Sequence, residues 1–196
     1  MNKRLKFLLV CLTVLFAFST LTVYARYDLG FQWPNVPSTI LWYCGELTAS
    51  QRQAAQAAMN TWNTVHASSG SELLTSIITS DSSTTYNWIF FDNLDPGVVA
   101  RTFPSPETGY VESVTIRMSN DYAFSIGASS NAYDFQSVIL HELGHAYGIA
   151  HCHEVGNDCG VIGCPNNVMS PTLSVNTLRR SLQTYDIINY QYIYVS

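Results

Sequence analysis

The chain has 196 residues, 47% of them hydrophobic and 12% charged, with a formal net charge of −5. That is the length and make-up of one soluble domain with its own core, and neither internal repeats nor low-complexity tracts divide it. An acidic surface repels phosphate backbones, which argues against nucleic acid and anionic membranes as partners.

In chain order, the basic stretch Met1–Lys6 leads into the apolar run Phe7–Phe18 and the small-residue pattern Val23-Tyr24-Ala25. This reads as a secretory signal peptide over residues 1–25, cleaved after Ala25. The apolar run is short for a bilayer span, which needs about 20 residues, and no later segment is apolar enough for one. Cleavage removes Lys3, Arg4 and Lys6, so the nine bases fall to six against fourteen acids, the formal charge becomes −8, and no lysine is left. The mature chain, 26–196, is thus expected as one domain and a monomer. It would lie outside the cell, or in the periplasm of a bacterium. There, Cys44, Cys152, Cys159 and Cys164 are expected to form two disulfides, with all three pairings open. Their C-x6-C and C-x4-C spacings suit zinc knuckles poorly. Between Ala25 and Trp33 there is no cysteine to act as a latency switch.

Ser38–Cys44, β-branched and aromatic, suits a buried strand. Thr48 and Gln51 have the spacing of a capping box, and Ala55, Met59, Trp62 and Val65 recur at helical period behind it. His66 near that helix's end is explained by the helix dipole. Strands are expected at Ile77–Ile78, Tyr86–Phe91, Val98–Phe103 and Glu112–Met118. Asp92 and Asp95 between two of them belong to a plain turn, because the spacing lacks the pattern of a calcium loop. A second helix begins at Asp134 as N-cap, runs through Val138, Leu140 and Leu143 to Tyr147, and ends at Gly148. A last helix is capped by Thr184, with Ile187, Ile188 and Ile193 inward and the rings of Tyr185, Tyr190, Tyr192 and Tyr194 packed with their hydroxyls in water. Strands interleaved with helices make an α+β, or mixed α/β, domain.

The second helix holds the chemistry. His141 and His145, four residues apart, stack on one helix face and can share a metal ion. Glu142 lies about 100° around the helix from His141, where its carboxylate can act as general base. Gly148 permits the left-handed turn that returns the chain, so His151 can supply a third imidazole. Three neutral imidazoles leave a fourth coordination position open to water, the catalytic rather than the structural arrangement. His153, two residues on, falls outside that spacing.

The string His141–His151, HELGHAYGIAH, resembles the signature of the metzincin zinc endopeptidases, and Val168-Met169-Ser170-Pro171 is similar to their Met-turn. Within that clan the likeness is to the matrixins, from about Trp33 to Tyr194. It rests further on Val98–Phe103, similar to their edge strand, and on Tyr185-Asp186-Ile187, similar to the start of their last helix. The resemblance implies a zincin fold: a twisted sheet with two main helices, and a smaller irregular C-terminal part carrying the Met-turn and the final helix. It also implies one catalytic zinc on His141, His145 and His151, Glu142 as catalytic residue, Met169 beneath the histidines, and Pro171 lining the pocket for the residue after the cut. The implied activity is hydrolysis of extended polypeptides. Cys152 stands where matrixins carry serine. Arg101, Thr115 and Arg117 stand where they bind a second zinc and calcium, so the sequence gives calcium no support. Two other readings compete: a binding or adhesion module braced by zinc, in which Glu142 would have no use, and a zinc amidase acting on non-protein amides.

Overall fold

The computed structural model describes residues 28–34, 38–68, 74–152, 164 and 166–195. The signal segment 1–25, His153 and Cys159 lie outside them, as does the side chain of His66.

Short strand β1 (Phe31–Gln32) precedes β2 (Ser38–Tyr43), helix α1 (Ala49–Ser68) and β3 (Leu74–Thr79). Then come β4 (Trp88–Asp92), β5 (Ala100–Ser105), β6 (Gly109–Tyr110) and β7 (Ser113–Ser119). β8 (Phe124–Ser125) and β9 (Tyr133–Asp134) lead into α2 (Phe135–Ala146), and α3 (Thr184–Tyr194) ends the chain. The main sheet has the order β3-β2-β4-β7-β5. Its first four strands run parallel, while β5 pairs antiparallel with β7 and leaves one edge unpaired. β5 runs on through Pro104, which an edge strand tolerates because proline lacks only a donor.

The capping box at the start of α1 forms as expected: the Thr48 amide donates to Gln51 Oε1 at 2.9 Å and the Gln51 amide to Thr48 Oγ1 at 3.3 Å. Its inner stripe of Ala55, Met59, Trp62 and Val65 is buried against the sheet and α2. Trp62 ties the two helices by donating from Nε1 to Leu140 O at 2.9 Å. Trp42 and Tyr147, both fully buried, satisfy their polar tips on Ser76 Oγ at 3.1 and 2.7 Å, so the core under the active-site helix carries no penalty for those polar groups.

α3 differs from its sequence reading in three ways. Its N-cap is Gln183, whose amide donates to Asp186 Oδ2 at 2.8 Å, rather than Thr184. Its buried face is Asp186, Asn189, Tyr190, Ile193 and Tyr194. Ile187 and Ile188 are only half-buried, because two polar residues occupy the inward positions and an apolar pattern cannot show that. The Tyr194 hydroxyl is not in water: it accepts from the Trp33 amide at 3.2 Å and donates to Tyr147 O at 3.0 Å, pinning the N-terminal segment onto the end of α2.

The two-disulfide expectation fails. Cys44 and Cys152 are buried thiols: Cys44 belongs to the core cluster beside the start of α1, whereas the Cys152 amide donates to Met169 O at 3.0 Å under the Met-turn. Each is enclosed in a different part of the fold. Burial pushes the Cys44 thiol up to about 12 and the Cys152 thiol up to about 11, so both stay protonated. Cys164 is disulfide-bonded.

Candidate active site

The end of α2 shows why Gly148 follows the second histidine by three residues. With φ +82°, Gly148 closes a Schellman motif: its amide donates to His145 O at 2.9 Å and that of Ile149 to Gly144 O at 3.0 Å. A Cβ on Gly148 would also lie 2.3 Å from Phe31 O, so glycine is required twice over. The turn does more than stop the helix. Ile149 O accepts from His145 Nδ1 at 2.8 Å, and two residues later His151 has come back to the helix face.

His141 is oriented in the same way, by donation from Nδ1 to Val168 O at 2.7 Å. A carbonyl only accepts, so both Nδ1 atoms carry the proton and both Nε2 atoms present lone pairs. His151 Nε2 lies 3.1 Å from His141 Nε2 and 3.0 Å from His145 Nε2. One imidazole proton cannot satisfy both contacts, and converging lone pairs repel unless a cation sits among them. Zinc bonds of about 2.0–2.1 Å in a tetrahedron set nitrogens about 3.3 Å apart, close to this spacing. Burial, and then the charges of His141 and His151, hold His145 well below the usual imidazole range and so keep it a neutral donor. The three residues thus fit a zinc ion, and among the described residues they are the one cluster of three or more possible ligands.

Glu142 is 4% exposed at the floor of the cleft. Thr102, on edge strand β5, sets its hydroxyl 2.6 Å from Glu142 Oε2 and 3.0 Å from Glu142 O. Burial pushes the Glu142 carboxyl up to about 7, against the Thr102 hydroxyl and the Arg101 charge, both of which favour the carboxylate. Thr102 carried no sequence signal beyond membership of a strand.

Met169 is fully buried beneath α2. Asp186, also fully buried, accepts from the amides of Val168 and Met169, each at 3.1 Å. Since Val168 O in turn orients His141, the last helix fixes one of the three clustered histidines through the Val168–Met169 turn. Sequence patterning missed this role, because a single acid near a helix start reads as a cap. Gly144 is the contact point: a Cβ there would fall 2.2 Å from Met169 Sδ and 3.1 Å from the Trp62 ring. Gly144→Ala is therefore expected to lower the melting temperature. Overpacking costs about 1–3 kcal/mol, more than the about 1 kcal/mol that alanine returns in a helix. Thermal unfolding checks this, and an unchanged or raised midpoint would contradict it.

A cleft of about 620 Å³ runs along β5 over His141, Glu142, His145 and His151, with Pro171 on its far wall. Residues 40–195 match the family model of the matrixins, peptidase family M10. The chain belongs to the matrixin family. No curated protein matches it. As a matrixin it is a zinc metalloendopeptidase whose substrate is polypeptide, and the three-histidine cluster fits the family's zinc site.

The residues that depart from the matrixin pattern have local explanations. Arg101 and Arg117 face each other in register across β5 and β7. Each pairs with a carboxylate, Arg101 with Asp95 of the turn after β4 at 3.3 Å and Arg117 with Asp92, which ends β4 itself, at 3.1 Å. Asp92 and Asp95 thus serve arginine. Cys152 is turned into the core under the Met-turn and is not among the clustered metal-ligand atoms. No helix among the described residues is long and apolar enough to cross a membrane.

Proposed function

We propose that this matrixin is a secreted, monomeric endopeptidase of residues 26–196 that cuts extended polypeptides, with Glu142 as the residue that moves the proton. The observation that carries the reading is the buried Glu142 carboxylate, one residue from a zinc ligand and hydrogen-bonded by Thr102 on the very strand that rims the cleft. A structural metal site has no use for a buried carboxylate held in this way.

Zinc, when bound, supplies the Lewis acidity that polarises a scissile carbonyl and acidifies water at neutral pH. The protein supplies the rest. Thr102 engages Glu142 Oε2, which leaves Oε1 to accept the proton of the attacking water and to return it to the nitrogen of the leaving amine. Edge strand β5 offers its outer amides and carbonyls to an extended substrate, which would add to the sheet as a further strand. Ser170 and Pro171 also line the cleft. The basic, apolar and small-residue sequence of the first 25 residues supports export.

Digestion of a broad peptide library by the zinc-loaded protein, with and without a chelator, tests the reading. Internal cleavage that the chelator abolishes is expected. Zinc-loaded protein that leaves every peptide intact would remove the endopeptidase. In that case hydrolysis of a non-protein amide would point to an amidase, and its absence to a binding module.

A further inference from the structure

We propose that Arg179 makes this cleft select substrates with an acidic side chain close to the scissile bond, an inference that rests on the endopeptidase reading above. Although the chain as a whole is acidic, the charged residues that line the cleft among the described residues, histidines aside, are Arg101, Glu142 and Arg179. Arg101 is already neutralised at 3.3 Å by Asp95. Arg179 is not. Among the described residues Arg101, Arg117 and Arg180 each hold a carboxylate within ion-pair distance, whereas the Arg179 guanidinium donates only from Nη1 to Thr172 O at 2.6 Å.

The position of Arg179 is fixed. Its amide donates to Ser137 Oγ at 2.8 Å, and Ser137 lies four residues before His141 on the same face of α2, about 6 Å along the helix. Arg179 lines the same cleft as Ser137, His141 and Thr172, with its guanidinium held at Thr172 O. Cys152 and Asp186 lie near enough to feel its charge, but neither is at ion-pair distance, and the Asp186 oxygens accept from the amides of Val168, Met169 and Gln183 rather than from the guanidinium. A half-buried guanidinium with donors to spare lacks a bidentate anion, and a substrate carboxylate in the cleft completes it. In a cleft with low-dielectric walls a cation that, among the described residues, holds no carboxylate at ion-pair distance also draws acidic segments in from solution.

The test uses matched peptides that differ only by Glu, Gln or Lys at each of the three positions on either side of the cut. Wild-type zinc-loaded protein is expected to prefer Glu over Gln in kcat/KM by about tenfold or more at one of these positions, as a charge-assisted hydrogen bond allows. The preference should shrink as salt is raised. In Arg179→Gln the Glu-to-Gln ratio should fall toward one, and in Arg179→Lys part of it should remain. Binding of the same peptides to the Glu142→Ala variant, followed by fluorescence anisotropy, gives a second readout that needs no turnover. If the wild type cleaves nothing, the endopeptidase reading fails while tighter binding of the Glu peptide still supports Arg179. Equal rates and affinities for Glu and Gln at every position, or a Glu preference that survives in Arg179→Gln, would overturn the proposal.

Discussion

Glu142→Ala is expected to lower kcat/KM by about 10⁴-fold or more while zinc content and fold stay close to wild type. General-base catalysis is worth about 10²–10⁴-fold, and one residue here serves both to take the proton from water and to hand it to the leaving amine, so the loss should reach the upper end. The environment is tuned for that double use. Burial raises the carboxyl above the usual carboxylate range, while Thr102 holds one of its oxygens. His141 and His145 do not depend on this side chain for their orientation, which Val168 O and Ile149 O set. Kinetics and zinc analysis on the variant and wild type, purified side by side, decide it. A variant as active as wild type would remove Glu142 from the chemistry.

His145→Ala is expected to behave differently, losing zinc, activity and stability together. His145 closes the site from the middle of the motif, with its Nε2 3.0 Å from that of His151 and its Nδ1 on the carbonyl just past Gly148. Removing it leaves two ligands and frees the loop that returns His151 to the helix. Because the site is assembled only in the folded chain, metal binding energy is folding energy. The variant should therefore melt well below zinc-loaded wild type, and close to wild type stripped with a chelator. Thermal unfolding of the three samples checks this; a variant that keeps a full equivalent of zinc would show that another residue can take the place of His145.

The fold and the metal site were legible in the sequence to different depths. The meeting of His141, His145 and His151 was legible because helix geometry and one glycine dictate where three histidines converge, and the structure explains each spacing by a specific bond. Strands β2, β4, β5 and β7 and both main helices followed from periodicity and capping. The short pairs β1–β6 and β8–β9 did not, since two-residue strands hold no period. α3 was found, but its inward face was misread because Asp186 and Asn189 are buried there by hydrogen bonds rather than by hydrophobicity. The supporting shell was hidden for the same reason. Thr102 and Gly144 act through contacts with residues 40 and 25 positions away in the chain, Glu142 and Met169. The cysteines were misjudged from compartment alone, which gives an oxidising environment and says nothing of whether two thiols meet.

The most direct test of a one-zinc peptidase is to strip the protein of metal and titrate zinc back while following peptide hydrolysis. Activity is expected to be absent without metal and to rise linearly to a plateau at one equivalent, because His141, His145 and His151 converge on a single point and Arg101 and Arg117 occupy Asp95 and Asp92. A break at two equivalents, or full activity in the stripped protein, would contradict it.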